Sequence, residues 1–413
     1  MRDKYAESEF NCFEILSKGD KELVHSAMLA YLLNNSRNFA ESLLGDLRNF
    51  SDLDFRSEEN VLALLTKSQA NLAKKQFKKE RQQRIAIDLA HIVYQSGQDN
   101  DDEPKKVKAL ILIETKFKCF PDEDQLANYD ACVDQLTLDH VKKILVCFVE
   151  TNIVGWTCVT FDKVVDALDK SMSCFQGDEA TFVAQYKAHL KKYLEARDNL
   201  TCEKSTKMKS FLNGDIEKSF NADMKKKCSH ENIENRIYVG DKGRNANFWR
   251  NIVYWSVREE LEKCKSLKDC VCELFNEKVT VMDISPFHWY KEIAQRKQGG
   301  MFHLQLRNRT LELRFTRCGK AVTVEQTKII TNPVYKSLMN CKNDISNDCL
   351  DGATLSFQCF SSVRTRKGQA ANTFYLVQGY ITDYSSCSAM AKAIVEFVKI
   401  VDKSMTEAKA NNM

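Results

Sequence analysis

No apolar run in this chain approaches the length of a membrane span, so no transmembrane helix is expected. The opening, MRDKYAESEF, lacks the basic and then apolar pattern of a secretory leader, which points to a cytoplasmic protein with no membrane partner. Net charge is only +4 over 413 residues, which excludes binding by bulk positive charge alone. The sixteen cysteines contain no Cys-x-x-Cys pair. Cys264, Cys270 and Cys272 cluster, and Cys228 lies two before His230, but neither spacing makes a zinc ligand set. A disulfide scaffold is equally out of place in a long chain with a full apolar core. Cysteines such as Cys147, in ILVCF, therefore read as reduced core residues.

What the sequence does hold is an apolar strand, Ile111-Leu112-Ile113, that runs into Glu114-Thr115-Lys116. Side chains alternate along a strand, so Glu114 and Lys116 share a face and Ile113 and Thr115 take the other. Upstream, Ile85-Ala86-Ile87-Asp88-Leu89 is a second apolar run with an aspartate inside it. The polar stretch Ser96 to Lys106 between the two carries Gly97 and Pro104, a turn signal that makes the pair a hairpin with a long tip. Paired as neighbours, the strands bring Asp88 and Glu114 to one point. Downstream, Gln125 and Tyr129 are four apart on a helix and share its face. Aspartate and glutamate supply hard oxygen ligands for Mg²⁺, and lysine supplies a compact positive charge. The set is the layout of a metal-dependent phosphodiesterase site. Charges inside apolar runs are costly unless they bind something. Taken one by one, the same groups are also what ordinary strand ends and helix surfaces carry.

With those residues in view, the chain resembles the PD-(D/E)XK nuclease superfamily, where an acid on one strand precedes (D/E)-x-K on the next. The Gln125-x-x-x-Tyr129 element resembles the RecB-like branch. Asn11-Cys12-Phe13-Glu14-Ile15-Leu16, Glu22-Leu23-Val24-His25-Ser26 and Leu29-Ala30-Tyr31-Leu32-Leu33-Asn34 resemble the opening of a bacterial group within it. That group has an R-I-D-I strand; here Arg84-Ile85-Ala86-Ile87-Asp88 departs from it by an insertion. Trp156 to Phe161 resembles the strand that closes the core. The resemblance covers residues 11 to 168.

The resemblance implies hydrolysis of phosphodiester bonds, most of all in DNA, with Mg²⁺ or Mn²⁺ as cofactor. Asp88 and Glu114 would bind the metal, with the Thr115 backbone carbonyl as a further ligand. Lys116 would orient or deprotonate the attacking water, Gln125 and Tyr129 would position Lys116 or the nucleic acid, and Glu22 would reach a second ion or a water. His25 could contact the site or serve as a packed or capping residue. A role in bacterial defence against phage follows by analogy, with a defence-system protein or a second copy of the chain as partner. The rival readings are a catalytically silent nucleic-acid binder and a regulatory interaction module on the same fold.

Basic residues are patchy. Lys74, Lys75, Lys78, Lys79, Arg81 and Arg84 crowd the approach to the Asp88 strand, where they suit a phosphate backbone. Lys204, Lys207 and Lys209, then Lys225 to Lys227, then Arg364, Arg366 and Lys367 form further groups that read equally as solvated faces.

Apolar content of 43% with 29% charged residues and the chain's length fit two or three globular domains. The expected fold is α/β: a restriction-endonuclease-like core with a mixed sheet flanked by helices, then an α+β accessory domain. The divisions expected are a nuclease domain over 1–170, a helical lysine-rich connector over 171–235 and an accessory or specificity domain over 236–413. Within the first, residues 21 to 34 and most of 38 to 79 read as helix, with 73 to 80 as an alternative first core strand. A helix follows from 122 to about 136, strands over 144–149 and 156–161, and a helix from 162. From residue 236 strands are expected to dominate. Phe302, Leu304 and Leu306 alternate, Asn308-Arg309 turns, and Leu311, Leu313 and Phe315 alternate again, a hairpin signature. Residues 355–363 and 373–381 read as a second hairpin, and 386–408 as a closing helix. Phe248 and Trp249, between Arg244 and Arg250, could stack on bases, although such aromatics are more often core.

Overall fold

The computed structural model describes residues 11–15, 22–50, 52–77, 85–95, 106–117, 119–202, 206–216, 218–219, 237–239, 244–264, 270–275, 281–286, 289, 300–317, 324–340, 349–350, 353–365 and 373–410. They form two compact units, residues 1–195 and 196–413. Among the described residues no helix is long and apolar enough to cross a membrane.

The first unit is built on a five-stranded mixed sheet in the order β1-β2-β3-β4-β5. The strands are β1 (Arg56–Asn60), β2 (Ala86–Tyr94), β3 (Val107–Lys116), β4 (His140–Cys147) and β5 (Thr157–Thr160). β1, β2 and β3 run antiparallel, and β3, β4 and β5 run parallel. The β2–β3 hairpin is as expected; its tip, 96–105, lies outside the described residues. β3 is central, and all of its residues except Lys108 are buried, because helices cover both faces. That double burial is why ALILI reads as one unbroken apolar run.

The helices are α1 (Cys12–Ile15), α2 (Glu22–Asn35), α3 (Arg37–Leu44), α4 (Lys67–Gln76), α5 (Glu123–Val133), α6 (Phe161–Ser171) and α7 (Gly177–Thr201). Their starts follow from local chemistry. Thr66 and Gln69 form a reciprocal capping box on α4. The Asp122 carboxylate accepts from the backbone N–H of Asp124 and Gln125, satisfying two of the free donors at the start of α5. α5 bridges β3 and β4, the crossover that two parallel neighbours require. α7 runs through the boundary between the two units.

Two expectations for this unit need correction. Residues 38–79 are not mostly helical: β1 interrupts them and pairs with β2. Its sequence, RSEEN, is polar because β1 is an edge strand with its first half exposed, so it carries no apolar alternation. The alternative first strand at 73–80 is α4 as far as Gln76, beyond which residues 78–80 are not described.

The second unit holds a seven-stranded antiparallel sheet in the order β10-β11-β12-β9-β8-β7-β6. The strands are β6 (Cys270–Phe275), β7 (Val281–Pro286), β8 (Gly300–Arg307), β9 (Thr310–Arg317), β10 (Cys349–Leu350), β11 (Ala353–Thr365) and β12 (Thr373–Tyr384). Both expected hairpins form. β8 and β9 turn at Asn308, whose φ of 56° is the left-handed conformation that asparagine tolerates. The closing helix spans Cys387–Ala410. It lies so close to the sheet that a Cβ on Gly379 would come within 2.6 Å of the Phe397 ring. Strands dominate from Cys270 rather than from residue 236: Arg244–Lys263 ahead of them is a long helix. Phe248 and Trp249 are buried in it, and the Trp249 indole N–H donates to the Ile237 carbonyl at 2.7 Å. They are core residues and are not available for stacking on bases.

Candidate active site

β2 and β3 set the first contacts. Leu89 faces Ile113 across the antiparallel pair, so the adjacent Asp88 and Glu114 stand at one level of the sheet. Asp88 Oδ2 accepts the Thr115 backbone N–H at 2.7 Å. Two residues beyond Glu114 on the same face, Lys116 places Nζ 2.7 Å from Glu114 Oε1 and 3.8 Å from Glu22 Oε1. Glu22 begins α2, and its carboxylate also accepts from the Cys119 thiol at 2.8 Å.

α5 closes the site over the sheet. Gln125 Nε2 donates to Glu114 Oε1 at 2.9 Å and to the Tyr129 oxygen at 2.8 Å. The Tyr129 hydroxyl in turn lies 2.6 Å from the Ala86 carbonyl and 3.2 Å from Glu114 Oε2. The i, i+4 spacing puts both side chains on the face turned to β3, while Leu126 and Cys132 fill the apolar core beside them.

The electrostatics are those of crowded buried acid. Burial, then the charge of Glu114, pushes Asp88 up to about 6, against the opposing pull of the Thr115 N–H, Lys116 and Ser26. Burial also raises Glu114 and Glu22, with Lys116 working against the shift in both. For Lys116, burial acts to lower the pKa, but Glu114 and Glu22 outweigh it and the ammonium is held above its ordinary range. Ionised, Asp88, Glu114 and Glu22 put three negative charges against one lysine. A divalent cation fits that excess charge and that donor chemistry, since Mg²⁺ takes one or two carboxylates and keeps several waters. Among the described residues, no cluster of three or more His, Cys, Asp or Glu is arranged as a complete ligand set.

The structure thus brings together Asp88, Glu114, Thr115, Lys116, Gln125, Tyr129 and Glu22. It leaves His25 out. That ring is buried, stacks on Phe117 with centroids 3.3 Å apart, and meets the Tyr186 hydroxyl at 3.1 Å through Nδ1, so it packs an aromatic cluster. Lys74 and Lys75 are exposed on the last turn of α4, which packs on α5. Lys78, Lys79, Arg81 and Arg84 lie outside the described residues.

Two participants were missed. The Ser26 hydroxyl shares its one proton between the Asp88 carboxyl and the Glu22 carbonyl, 3.0 Å away; its position four after Glu22, on the same helix face, was the available signal. Cys119 sits in the β3–α5 connection, where no periodicity points to it.

Tyr129→Phe tests whether α5 is fastened here. The change removes the phenol's one proton, shared between the Ala86 carbonyl and Glu114, and the acceptor for Gln125 in a buried setting, and the expected loss is about 1–3 kcal/mol of stability. An unchanged urea midpoint would show that the phenol holds nothing.

Residues 10–214 match the family model of the PD-(D/E)XK nuclease superfamily. The match runs past the expected 168, through α7 and into the start of the second unit. No curated protein matches the chain, and no solved structure does.

Proposed function

Because residues 10–214 belong to the PD-(D/E)XK nuclease superfamily, whose nucleases use divalent metal ions, we propose that this chain hydrolyses phosphodiester bonds in DNA with Mg²⁺ or Mn²⁺. The observation that carries the reading is the convergence of Asp88, Glu114 and Lys116 from paired strands under Gln125 and Tyr129 of α5.

Asp88 and Glu114 would hold the ion, with the Thr115 carbonyl as a third oxygen. When bound, the ion supplies positive charge for the scissile phosphate and acidifies water. Without a metal the Lys116 ammonium is held above its ordinary range by Glu114 and Glu22. Lys116 would orient or deprotonate the attacking water and hold positive charge against the developing phosphorane. Gln125 and Tyr129 fix the Glu114 carboxylate in place, and Glu22 holds the far side of Lys116. Lys74 and Lys75 would meet the nucleic-acid backbone, where contacts set affinity and position without reading sequence. A role in anti-phage defence, with the C-terminal part of the chain as sensor or specificity element and either a defence-system protein or a second copy as partner, is the outer reach of this reading. It rests on analogy of family.

The test is incubation with linear and circular DNA and with RNA, in Mg²⁺ or Mn²⁺. Cleavage of DNA that stops with EDTA is the expected outcome. Loss of linear DNA alone would mark an exonuclease, and nicked circles an endonuclease. Cleavage of RNA alone would overturn the substrate, and no cleavage together with no Mn²⁺ binding would overturn the enzyme.

A further inference from the structure

β4 ends at Cys147 and β5 begins at Thr157. The short connection folds back through a turn closed by the Trp156 N–H on the Ile153 carbonyl at 3.1 Å, with Gly155 at a φ of 81°. In the parallel pairing Cys158 stands opposite Leu145 and Cys147 opposite Thr160, so the two cysteines are diagonal neighbours on one face of the sheet. The two Sγ atoms are 3.5 Å apart. Both cysteines are free. The Val149 carbonyl accepts from the Cys147 thiol at 2.9 Å and lies 3.7 Å from Cys158 Sγ. The Thr151 N–H donates to Cys158 Sγ at 3.4 Å. Cys147 is buried, whereas Cys158 is half-buried on β5, the edge strand of the sheet.

We propose that Cys147 and Cys158 form a reversible oxidation site that a hydroperoxide closes to a disulfide. Cys158 is the attacking sulfur, since it alone of the two meets solvent. The Cys147 thiol has one proton for the Val149 carbonyl and the Cys158 sulfur; turned to Cys158, with the Thr151 N–H assisting, it lowers the Cys158 pKa. The Cys147 thiol is pushed up by the same hydrogen bond and by burial. A low-pKa, accessible thiolate next to a resolving thiol is the arrangement that favours such oxidation. In the first step the Cys158 thiolate takes the outer oxygen of the peroxide; the O–O bond breaks, Cys158 becomes a sulfenic acid, and the peroxide leaves as hydroxide or alkoxide. In the second, Cys147 sulfur attacks Cys158 sulfur and expels the hydroxyl, which leaves as water with the Cys147 proton. Each sulfur has lost one electron, and the peroxide has gained two. The sulfurs must close by roughly 1.5 Å to reach disulfide length; diagonal strand neighbours are about 7–8 Å apart, so the end of β4, where Cys147 is the last residue, must shift towards β5 as the bond forms. Cys119 and Cys132 are the internal contrast. Burial raises both thiols, Cys132 to about 12.

The experiment is peptide mapping of the purified full chain after stoichiometric hydrogen peroxide, with free thiols alkylated beforehand and afterwards in parallel samples. The expected product is a peptide pair linked through Cys147 and Cys158, two hydrogens lighter than its parts and separated again by dithiothreitol. In Cys147→Ser the sulfenic acid should stop at Cys158 and be trapped by dimedone; in Cys158→Ser neither link nor trapped Cys147 should form. Alkylation of both cysteines as free thiols after peroxide has linked or oxidised Cys119 or Cys132 would overturn the proposal. So would a dimedone adduct at Cys147 in Cys158→Ser. The wild-type map stands even if either serine variant folds poorly.

Discussion

Lys116→Ala is expected to lower DNA cleavage by about 10³-fold while leaving divalent-ion binding intact. The size follows from what is removed, a fixed charge and water-orienting donor at the reacting phosphate, each of which contributes about 10²–10³-fold or more in comparable sites. The sparing of metal affinity follows from geometry. Lys116 Nζ lies 2.7 Å from Glu114 Oε1 and so competes with a cation for that oxygen. Removing it frees the carboxylate, and Mn²⁺ affinity measured by calorimetry at pH 8 should hold or rise. The alkaline condition matters, because without the lysine the largest opposition to the burial that raises Glu114 and Glu22 is gone, and protons would otherwise compete with the ion. Cleavage within tenfold of wild type would remove Lys116 from the chemistry. Loss of metal binding along with activity would instead make it an anchor for the carboxylates.

How much of this could be read beforehand depended on whether burial and chemistry left a periodic mark. Asp88, Glu114 and Lys116 were legible because each charge interrupts an apolar strand, where it stands out against neighbours such as Ile87 and Ile113. Gln125 and Tyr129 were legible because helical spacing puts them on one face. β1 left no mark: an exposed edge strand needs no apolar side, and RSEEN has none. The helix Arg244–Lys263 was hidden for the opposite reason. Its buried Phe248, Trp249, Ile252, Val253, Tyr254 and Val257 are aromatic and β-branched types that favour strands, while their spacing of three and four is helical. Period outranked propensity there, as it does in most buried helices. Cys147 and Cys158 read as two core residues, because only the return of β5 beside β4 brings them together.

Asp88→Asn should abolish tight metal binding yet make the metal-free protein more stable at neutral pH. The Asp88 carboxyl has an ordinary value of 3.8 and is pushed up to about 6 in the fold. An acid whose folded pKa lies above its unfolded value binds its proton better when folded. Ionisation then works against folding: the group costs nothing below about pH 4, and its penalty grows until pH passes about 6. A shift of this size corresponds to roughly 3 kcal/mol. Asparagine has nothing to ionise and keeps an oxygen for the Thr115 N–H. In EDTA, the variant should therefore unfold at higher urea than wild type at pH 7, and the gap should close towards pH 4. Divalent ion should narrow the gap. At a hundredfold excess over Kd it stabilises the native wild type by about 2.7 kcal/mol, whereas the variant, with affinity lowered by at least ~10–100-fold, gains little. A wild type more stable than Asp88→Asn in EDTA at pH 7 would mean that the carboxylate is held by favourable contacts and not by tolerance of strain. The acidic pair would then be structural, and the case for a cation between Asp88 and Glu114 would lose its energetic basis.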